Sequence, residues 1–318
     1  MVPTLQPPSL EDFPSQGVSL AGFEFFISQC GGEATLAGLT TDEICRLFLL
    51  PLTDKDKCSY CDLLSKTNDE FVGPANIFVS HAWRGEFLEV VAAIRTFVSP
   101  RKAESDFILW FDLFSNNQHI AVFKPFEWWQ TTFRSAIAHF GHTLLVMAPW
   151  RRPVALSRAW CLFEIYSTVI TGSLLHVAII PSELITFRHD ICCNYDLFYK
   201  FLASVDLRHS EATQATDRDR IFEVVERTSS FNTLNEKVIS HLRFWMRTYL
   251  QTTIDSELAA GCDPFNCHRD RNALAVMLKT QGMYAEALAV WELQLAAALQ
   301  SKGAESVEAL GAQNKYAM

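Results

Sequence analysis

The sequence lacks the signals that send chains to membranes or organelles. No lysine, arginine or histidine occurs before Arg46, whereas secretory and mitochondrial leaders both need early basic residues. No apolar run approaches the roughly 18 residues that a membrane span requires, and Leu144–Trp150 is among the longest. We therefore expect a cytoplasmic protein that has no membrane partner.

Several enzyme signatures are also missing. The chain contains no Gly-x-Gly-x-x-Gly, Gly-Lys-Ser or Gly-x-Ser-x-Gly, which argues against Rossmann dehydrogenases, P-loop ATPases and the common hydrolases. Lysine and arginine number 27 against 36 aspartates and glutamates, which gives a net charge of −9. This acidic balance argues against nucleic acid as the main partner, because phosphate binding needs a basic patch.

The nine cysteines do not form a recognisable framework, and their odd number is typical of reduced thiols in a cytosolic protein. Cys58-Ser-Tyr-Cys61 has the spacing of metal ligands but no second pair, and Cys30, Cys45 or His81 would have to complete a zinc site. Cys267-His268 lies in a second stretch without a partner pair. We predict that the chain binds no metal. The alternative is a zinc site at one of these two cysteine-containing segments.

Short apolar segments alternate with helical patterns in the middle of the chain. Strands are predicted near 76–80, 107–112, 142–147 and 174–180, and helices over 87–98, 126–140 and 157–171. Such alternation is the pattern of βαβ units, and continuous apolar strands are typical of strands buried on both faces. The sequence predicts an α/β domain with one parallel sheet in the order 2-1-3-4, counted along these four strands.

The regions on either side of this alternating segment differ from it in composition and predicted structure. The first 20 residues are proline-rich and predicted to be irregular, and a short helix is predicted from Thr41 to Leu50, ended by Pro51. The helix over 157–171 is expected to use Ser157 as its N-cap and Gly172 as its stop. The predicted divisions are an acidic segment with short helices (1–72), the α/β domain (73–185), a helical connector (186–255) and a repeat region (256–318).

The carboxy-terminal region contains a repeat. Arg271-Asn-Ala-Leu-Ala275 finds a partner 42 residues later in Gln313-Asn-Lys-Tyr-Ala317, with two predicted helices between them that join at residues 281–284. A period of this length is typical of helical-hairpin solenoids, which normally need three or more repeats. We expect one full repeat and the start of a second. They would belong to a longer repeat array, or be what remains of an array that has been lost. In the connector, the charged cluster Asp217-Arg-Asp-Arg220 is interpreted as a solvated helix start.

One predicted helix carries a polar stripe on an otherwise apolar surface. Trp160, Glu164, Ser167 and Thr171 fall on one face, and nearly all the other positions from 161 to 170 are apolar. A structural interpretation is that Glu164 is a solvated helix glutamate and that Trp160 covers the core. A functional interpretation is that the carboxylate stabilises a ribosyl oxocarbenium-like transition state while the ring stacks on a base.

Two segments resemble a known family. Asn76-Ile-Phe-Val-Ser-His-Ala-Trp-Arg-Gly-Glu86 resembles the first strand and the following loop of Toll/interleukin receptor (TIR) domains, and Trp160-Cys-Leu-Phe-Glu164 resembles the Trp-Cys-Leu-x-Glu segment of plant-type TIR domains. The resemblance covers residues 73–183. It implies a flavodoxin-like fold, NAD⁺ as the substrate rather than a bound cofactor, and Glu164 as the catalytic residue of NAD⁺ cleavage.

The resemblance and the strand ends together give the expected site. Ser80 matches the serine that ends the first strand of the family and Trp160 matches its tryptophan, and we expect Ser80, Trp83, Asp112 and Trp160 to bind substrate beside Glu164 at the carboxyl edge of the sheet. The chain departs from the family pattern by a two-residue extension before Trp83 and by the absence of a Gly-centred loop over 112–119. On the assumption that Glu164 is a surface residue, we expect Glu164→Gln to alter stability by less than roughly 0.5 kcal/mol.

The repeat region resembles kinesin-light-chain-type tetratricopeptide repeats. Gly282, Tyr284, Ala287 and Trp291 match the Gly-x-Tyr-x-x-Ala-x-x-x-aromatic pattern, and Gln294 replaces a usual alanine. The combination resembles signalling proteins of microbial eukaryotes and implies a protein partner for the repeats. Two functions stay open: an intracellular signalling protein that cleaves NAD⁺ at the nicotinamide–ribose bond, or a non-enzymatic module that self-associates through its TIR-like domain.

Overall fold

The computed structural model describes residues 13–99, 107–121, 126–203, 205–212, 215–228 and 230–316. The chain forms two compact units, one made of residues 1–184 and 205–239 and the other of residues 185–204 and 240–318. In the part of the chain that is described, no helix is both long and apolar enough to cross a membrane.

The first unit is built on a six-stranded mixed sheet. The strand order is β2-β1-β4-β3-β5-β6. The strands are β1 (Gln16–Ser19), β2 (Val72–Pro74), β3 (Ile77–Ser80), β4 (Ile108–Trp110), β5 (His142–Met147) and β6 (Leu174–Ile179). All neighbours among β4, β3, β5 and β6 pair in parallel, so the predicted α/β class and the predicted order of these four strands are confirmed.

The sheet extends beyond the predicted strands on one side. β1 lies between β2 and β4 and runs antiparallel to both, so the prediction of an irregular segment is wrong for Gln16–Ser19, while residues 1–12 lie outside the described part. β1 makes a close approach to β4 at Gly17, where an added Cβ would lie 2.5 Å from the backbone oxygen of Leu109. Only glycine allows the two backbones to come this near.

Helices cover both faces of this sheet, as expected for parallel strands joined by crossovers. In β3, Ile77 and Val79 belong to one apolar cluster, whereas Phe78 belongs to another that also contains Trp110. The helices with residues in this unit are α1 (Leu20–Gln29), α2 (Glu33–Leu36), α3 (Thr41–Ile44), α4 (Leu50–Thr53), α5 (Tyr60–Thr67), α6 (Phe87–Val98), α7 (Asp112–Ser115), α8 (Phe126–Phe140), α9 (Ala159–Thr171), α10 (Pro181–Cys193), α12 (Ala215–Thr228) and α13 (Phe231–Ala259).

The helix predicted to end before Pro51 continues through it. After α3 the chain forms a π-helical turn over Cys45–Leu49 and then enters α4, with Pro51 in its first turn. Proline is tolerated there because the first turn of a helical segment leaves its N–H groups unpaired. The helical run starts at Thr40, whose side chain and that of Glu43 form a capping box.

The start of α9 also differs from the prediction. Ser157 lies in a 3₁₀ turn, where its hydroxyl donates to the backbone oxygen of Val154, and the helix begins at Ala159 without a side-chain cap. The backbone N–H of Ala159 instead donates to the backbone oxygen of Glu211 at 2.8 Å. The predicted stop at Gly172 is confirmed, since this residue adopts a left-handed conformation with φ of +72°.

The second unit is helical. The hairpin of α14 (His268–Thr280) and α15 (Tyr284–Lys302) is joined at Gln281–Met283, where Gly282 has φ of +78°. The unit also contains α11 (Tyr195–Ala203), α16 (Val307–Tyr316) and residues of α10 and α13. Arg188 connects α10 to α13 and α14, because its guanidinium donates to both carboxylate oxygens of Asp270 and lies 2.6 Å from Glu257.

Candidate active site

Glu164 lies on α9 at the carboxyl edge of the parallel strands. It is only 8% exposed, and its Oε2 accepts a hydrogen bond of 2.5 Å from the hydroxyl of Ser80, the last residue of β3. This contact joins positions 84 residues apart in the sequence. The interpretation of Glu164 as a solvated helix glutamate is therefore wrong.

Burial decides the charge of Glu164. Loss of hydration raises the pKa of its carboxyl from an ordinary 4.5 to about 8, because the charged form loses the most solvation. The hydrogen bond from Ser80 opposes this shift, and the negative charge of Asp112 adds to it. At neutral pH, the carboxyl of the free protein is therefore mostly protonated.

Asp112 supplies a second carboxyl at the same edge, directly after β4, and its side chain is 25% exposed. Its Oδ2 accepts a 2.5 Å hydrogen bond from the indole N–H of Trp83, and its Oδ1 accepts one from the backbone N–H of Leu113 at 2.8 Å. Burial raises the pKa of Asp112 to about 7, and these two hydrogen bonds oppose the shift. Trp83, the residue behind the two-residue extension, therefore holds one of the carboxyls of the site.

His81 belongs to the site, although the sequence suggested only a possible role for it in a zinc set. Its ring stacks on Phe111 with centroids 4.4 Å apart, and its Nδ1 lies 3.8 Å from Oδ1 of Asp112. Burial lowers the pKa of His81 to about 3, so the ring is neutral. Its Nε2 is fully buried and has no hydrogen-bond partner among the described residues, so an unsatisfied polar atom lies beside the cavity.

These side chains meet around one cavity of about 710 Å³. Four of the predicted site residues line it, namely Trp83, Asp112, Trp160 and Glu164. Ser80 is connected to the cavity through the hydrogen bond that it donates to Glu164. The structure thus brings together the five residues that the sequence proposed for the site. The full lining comprises Thr40, Asp42, Glu43, Arg46, His81, Ala82, Trp83, Arg84, Asp112, Asn116, Gln118, Ala121, Phe126, Trp129, Phe133, Arg158, Trp160, Cys161, Glu164 and Asp217.

One wall of the cavity is aromatic. The indole of Trp160 has its ring centroid 5.5 Å from that of Phe126 and 5.7 Å from that of Phe133. Trp129 packs edge-on against Phe133, with centroids 5.2 Å apart. Rings at these separations pack favourably and form an apolar surface on which a flat ligand can stack.

Part of the lining comes from the amino-terminal segment, which was predicted to be separate from the domain that carries the site. The backbone N–H of Thr41 donates to the backbone oxygen of Gly85, and that of Asp42 donates to the backbone oxygen of Trp83. These bonds fix the start of α3 against the loop after β3. The sequence predicts a short helix from Thr41 but not its position, because the contacts that fix it are non-local backbone bonds.

Charge is unevenly divided around the cavity. Five carboxyl groups line it, and three arginines do so. The carboxyls belong to Asp42, Glu43, Asp112, Glu164 and Asp217, and the guanidinium groups to Arg46, Arg84 and Arg158. A ligand that carries both a cation and an anion matches such a cavity better than a singly charged one.

The loop after β4 is held at both ends. Residues from Asp112 form the short helix α7, and the side chain of Gln118 donates to the backbone oxygen of Asp112 at 2.7 Å. The side chain of Asn117 donates to the backbone oxygen of Lys57 at 2.6 Å. This segment, which departs from the TIR pattern, therefore closes one side of the cavity with fixed polar contacts.

No set of metal ligands accompanies the cavity. Within the described ranges, no group of three or more histidine, cysteine, aspartate or glutamate side chains could hold a metal ion. All nine cysteines fall inside these ranges and are free thiols. Cys161, next to the catalytic candidate, is buried and donates to the backbone oxygen of His81. Burial raises its thiol pKa well above the usual value, which does not favour a nucleophilic role.

Comparison of the chain with protein-family models, with curated proteins and with solved structures finds no match.

Proposed function

We propose that the α/β unit cleaves NAD⁺ at the bond between nicotinamide and ribose. The observation that carries this proposal is a buried carboxyl, Glu164, held by Ser80 at a cavity lined by the ring of Trp160 one helical turn away. The cavity volume of about 710 Å³ falls within the range of small-molecule sites, roughly 300–1,000 Å³. The TIR-like pattern of the sequence supports the same activity.

The chemistry of this bond suits a carboxylate. Nicotinamide leaves as a neutral base, so positive charge moves from the pyridinium to the ribose as the bond breaks. An ionised Glu164 beside the ribose stabilises that charge, as in glycoside hydrolysis, and no proton has to reach the leaving group. Water then forms the new bond to the ribosyl carbon and releases a proton, which completes the hydrolysis. A cationic substrate also favours the ionised carboxyl, so its binding opposes the effect of burial on the pKa of Glu164.

The other lining groups support a dinucleotide. The aromatic wall around Trp160 can stack on the pyridinium and interact with its positive charge. Arg84 and Arg158 line the same cavity and can pair with the diphosphate, for which planar guanidinium groups are well suited. In this proposal Asp112 and its partner Trp83 bind substrate, and Glu164 is the catalytic residue.

The test is nicotinamide release from NAD⁺ by the purified chain. Glu164→Gln keeps the size of the side chain but deletes its charge, so it should lower the rate by about 10²–10³. A matched control is Glu223→Gln, because Glu223 is exposed on α12 of the same unit and should leave the rate unchanged. Full-rate cleavage by Glu164→Gln would refute the catalytic role.

A second candidate function is a non-enzymatic scaffold. The second unit exposes large apolar side chains on α15 and α16, which are Tyr284, Leu288, Leu293, Leu299, Val307 and Leu310. Such residues favour protein binding, and they agree with the proposed tetratricopeptide character of the α14–α15 hairpin. A scaffold would show no NAD⁺ loss at any enzyme concentration, and its self-association would not respond to Glu164→Gln.

The two functions can also coexist in one cytoplasmic signalling protein. In that case the helical unit recruits a protein partner and the α/β unit consumes NAD⁺. Deleting the charge of Glu164 would then abolish cleavage without altering partner binding. Loss of both on Glu164→Gln would contradict this division of roles.

A further inference from the structure

The helix α12 takes part in the cavity, although the sequence marks its start only as a solvated charged cluster. Oδ2 of Asp217 accepts a hydrogen bond from the indole N–H of Trp160 at 3.3 Å, and both residues line the cavity. The interpretation of the cluster as merely solvated is therefore wrong at Asp217. Its carboxylate contacts the ring that carries the aromatic wall.

A second contact from the same helix reaches the same wall. The guanidinium of Arg220 lies over the ring of Phe126, 5.7 Å from its centroid, and Phe126 packs on Trp160. Asp217 and Arg220 are three residues apart, so they project from one side of α12. Two polar side chains of one helix thus hold two neighbouring rings.

The chain before α12 is fixed to the start of α9 by backbone hydrogen bonds. The backbone N–H of Glu211 donates to the oxygen of Ser157, and the oxygen of Glu211 accepts from the N–H of Ala159, both at 2.8 Å. Arg158, between these two residues, forms a parallel bridge with Glu211. Because α9 carries Trp160, the same local contacts fix both partners of the indole hydrogen bond.

We propose that Asp217 is a positioning residue that fixes the indole of Trp160 for stacking on a pyridinium ring, so that α12 contributes this side chain to the binding site. This inference rests on the proposed function only for the class of ligand, a cationic aromatic ring. The hydrogen bond restricts rotation of the indole about its side-chain torsions. A ring that is already oriented loses less conformational entropy when a ligand stacks on it.

The test uses 1-methylnicotinamide, a pyridinium cation without a ribose that can be cleaved. Binding is followed by the quenching of tryptophan fluorescence in the full chain. Asp217→Ala should weaken binding about fivefold to tenfold, as expected for the loss of one intramolecular hydrogen bond. Asp217→Asn keeps an oxygen that accepts from the indole and should stay within about twofold of wild type. Asp219→Asn, at an exposed position of the same helix, is the matched control and should have no effect.

A double-mutant cycle separates positioning from other effects. Trp160→Phe keeps an aromatic ring but has no N–H, so adding Asp217→Ala to it should cause no further loss of binding. If Asp217→Ala does not fold, Asp217→Ser replaces it, because the shorter side chain cannot reach the indole. An equal effect of Asp217→Ala in both backgrounds, or an equal loss in Asp217→Asn, would overturn the positioning role.

Binding and cleavage then give distinguishable failures. A wild-type chain that binds 1-methylnicotinamide with the expected variant pattern but leaves NAD⁺ intact would support the role of Asp217 and refute the proposed cleavage. A wild-type chain that does not bind 1-methylnicotinamide would overturn the inference, whatever its activity on NAD⁺.

Discussion

Glu164→Gln should stabilise the protein at alkaline pH. The carboxyl of Glu164 has a higher pKa in the folded chain than its ordinary value of 4.5, so the folded state binds the proton more tightly than the unfolded state does. The protonated carboxyl therefore contributes fully to the stability of the fold below about pH 4.5. This contribution to the free energy of unfolding is lost as the pH rises to about 8. Glutamine cannot ionise, so the variant does not lose this stability as the pH rises.

The structure sets the size of the effect. One pKa unit corresponds to about 1.4 kcal/mol, so a rise from 4.5 to about 8 corresponds to roughly 5 kcal/mol at pH 8 and above, and to roughly 3 kcal/mol at pH 7. The expectation of a change below about 0.5 kcal/mol, which assumed a surface residue, no longer holds. Glutamine has the shape of the protonated carboxyl and can still accept from Ser80.

The assay is urea denaturation of wild type and Glu164→Gln at several pH values from about 5 to 8.5. The free energy of unfolding of the variant should match that of wild type near pH 5 and exceed it increasingly towards pH 8. Glu223→Gln, at an exposed site, should follow wild type at every pH. A variant that is equally stable or less stable than wild type at pH 8 would refute the burial argument for Glu164.

Three further outcomes follow from the same geometry. The kcat/KM for NAD⁺ should rise about tenfold per pH unit towards the pKa of Glu164 at about 8 and then become constant. A flat profile from about pH 6 to 8 would contradict an essential ionised Glu164. Ser80→Ala removes a donor that lowers the pKa of Glu164, so the midpoint of that profile should move to higher pH and the rate at pH 7 should fall; an unmoved midpoint would count against the contact. Gly17→Ala places a Cβ against the backbone of the neighbouring strand and should lower the free energy of unfolding by about 1–3 kcal/mol in urea denaturation, whereas an unchanged value would contradict the pairing of β1 with β4.

The parallel part of the sheet could be predicted from the sequence because its strands are buried on both faces. Runs such as Ile77–Ser80 are apolar at nearly every position, and this signal does not depend on distant residues. β1 and β2 could not be predicted in the same way. They have only four and three residues and contain Gly17, Gly73 and Pro74, so neither shows an apolar run or a regular alternation.

The residues of the site could be predicted better than their environment. Trp160 and Glu164 share a helix face, and Ser80 and Asp112 lie at strand ends, so local spacing and sheet topology are enough to bring them together. The burial of Glu164 depends on Ser80, 84 residues away. The cavity walls likewise depend on Asp217, which belongs to a segment predicted to lie outside the domain. Such non-local contacts leave no periodic signal in a single sequence.

The state of Glu164 is itself an argument for a function at this cavity. In the free protein, a buried carboxyl held by one hydroxyl costs several kcal/mol of stability at neutral pH. A neutral side chain of the same size would avoid that cost, so packing alone does not favour glutamate here. Strongly shifted carboxyls are concentrated at sites where the shift serves binding or chemistry. A cationic ligand in the cavity of Glu164 and Asp112 would favour their ionised forms, and the group that destabilises the free protein would then stabilise the complex.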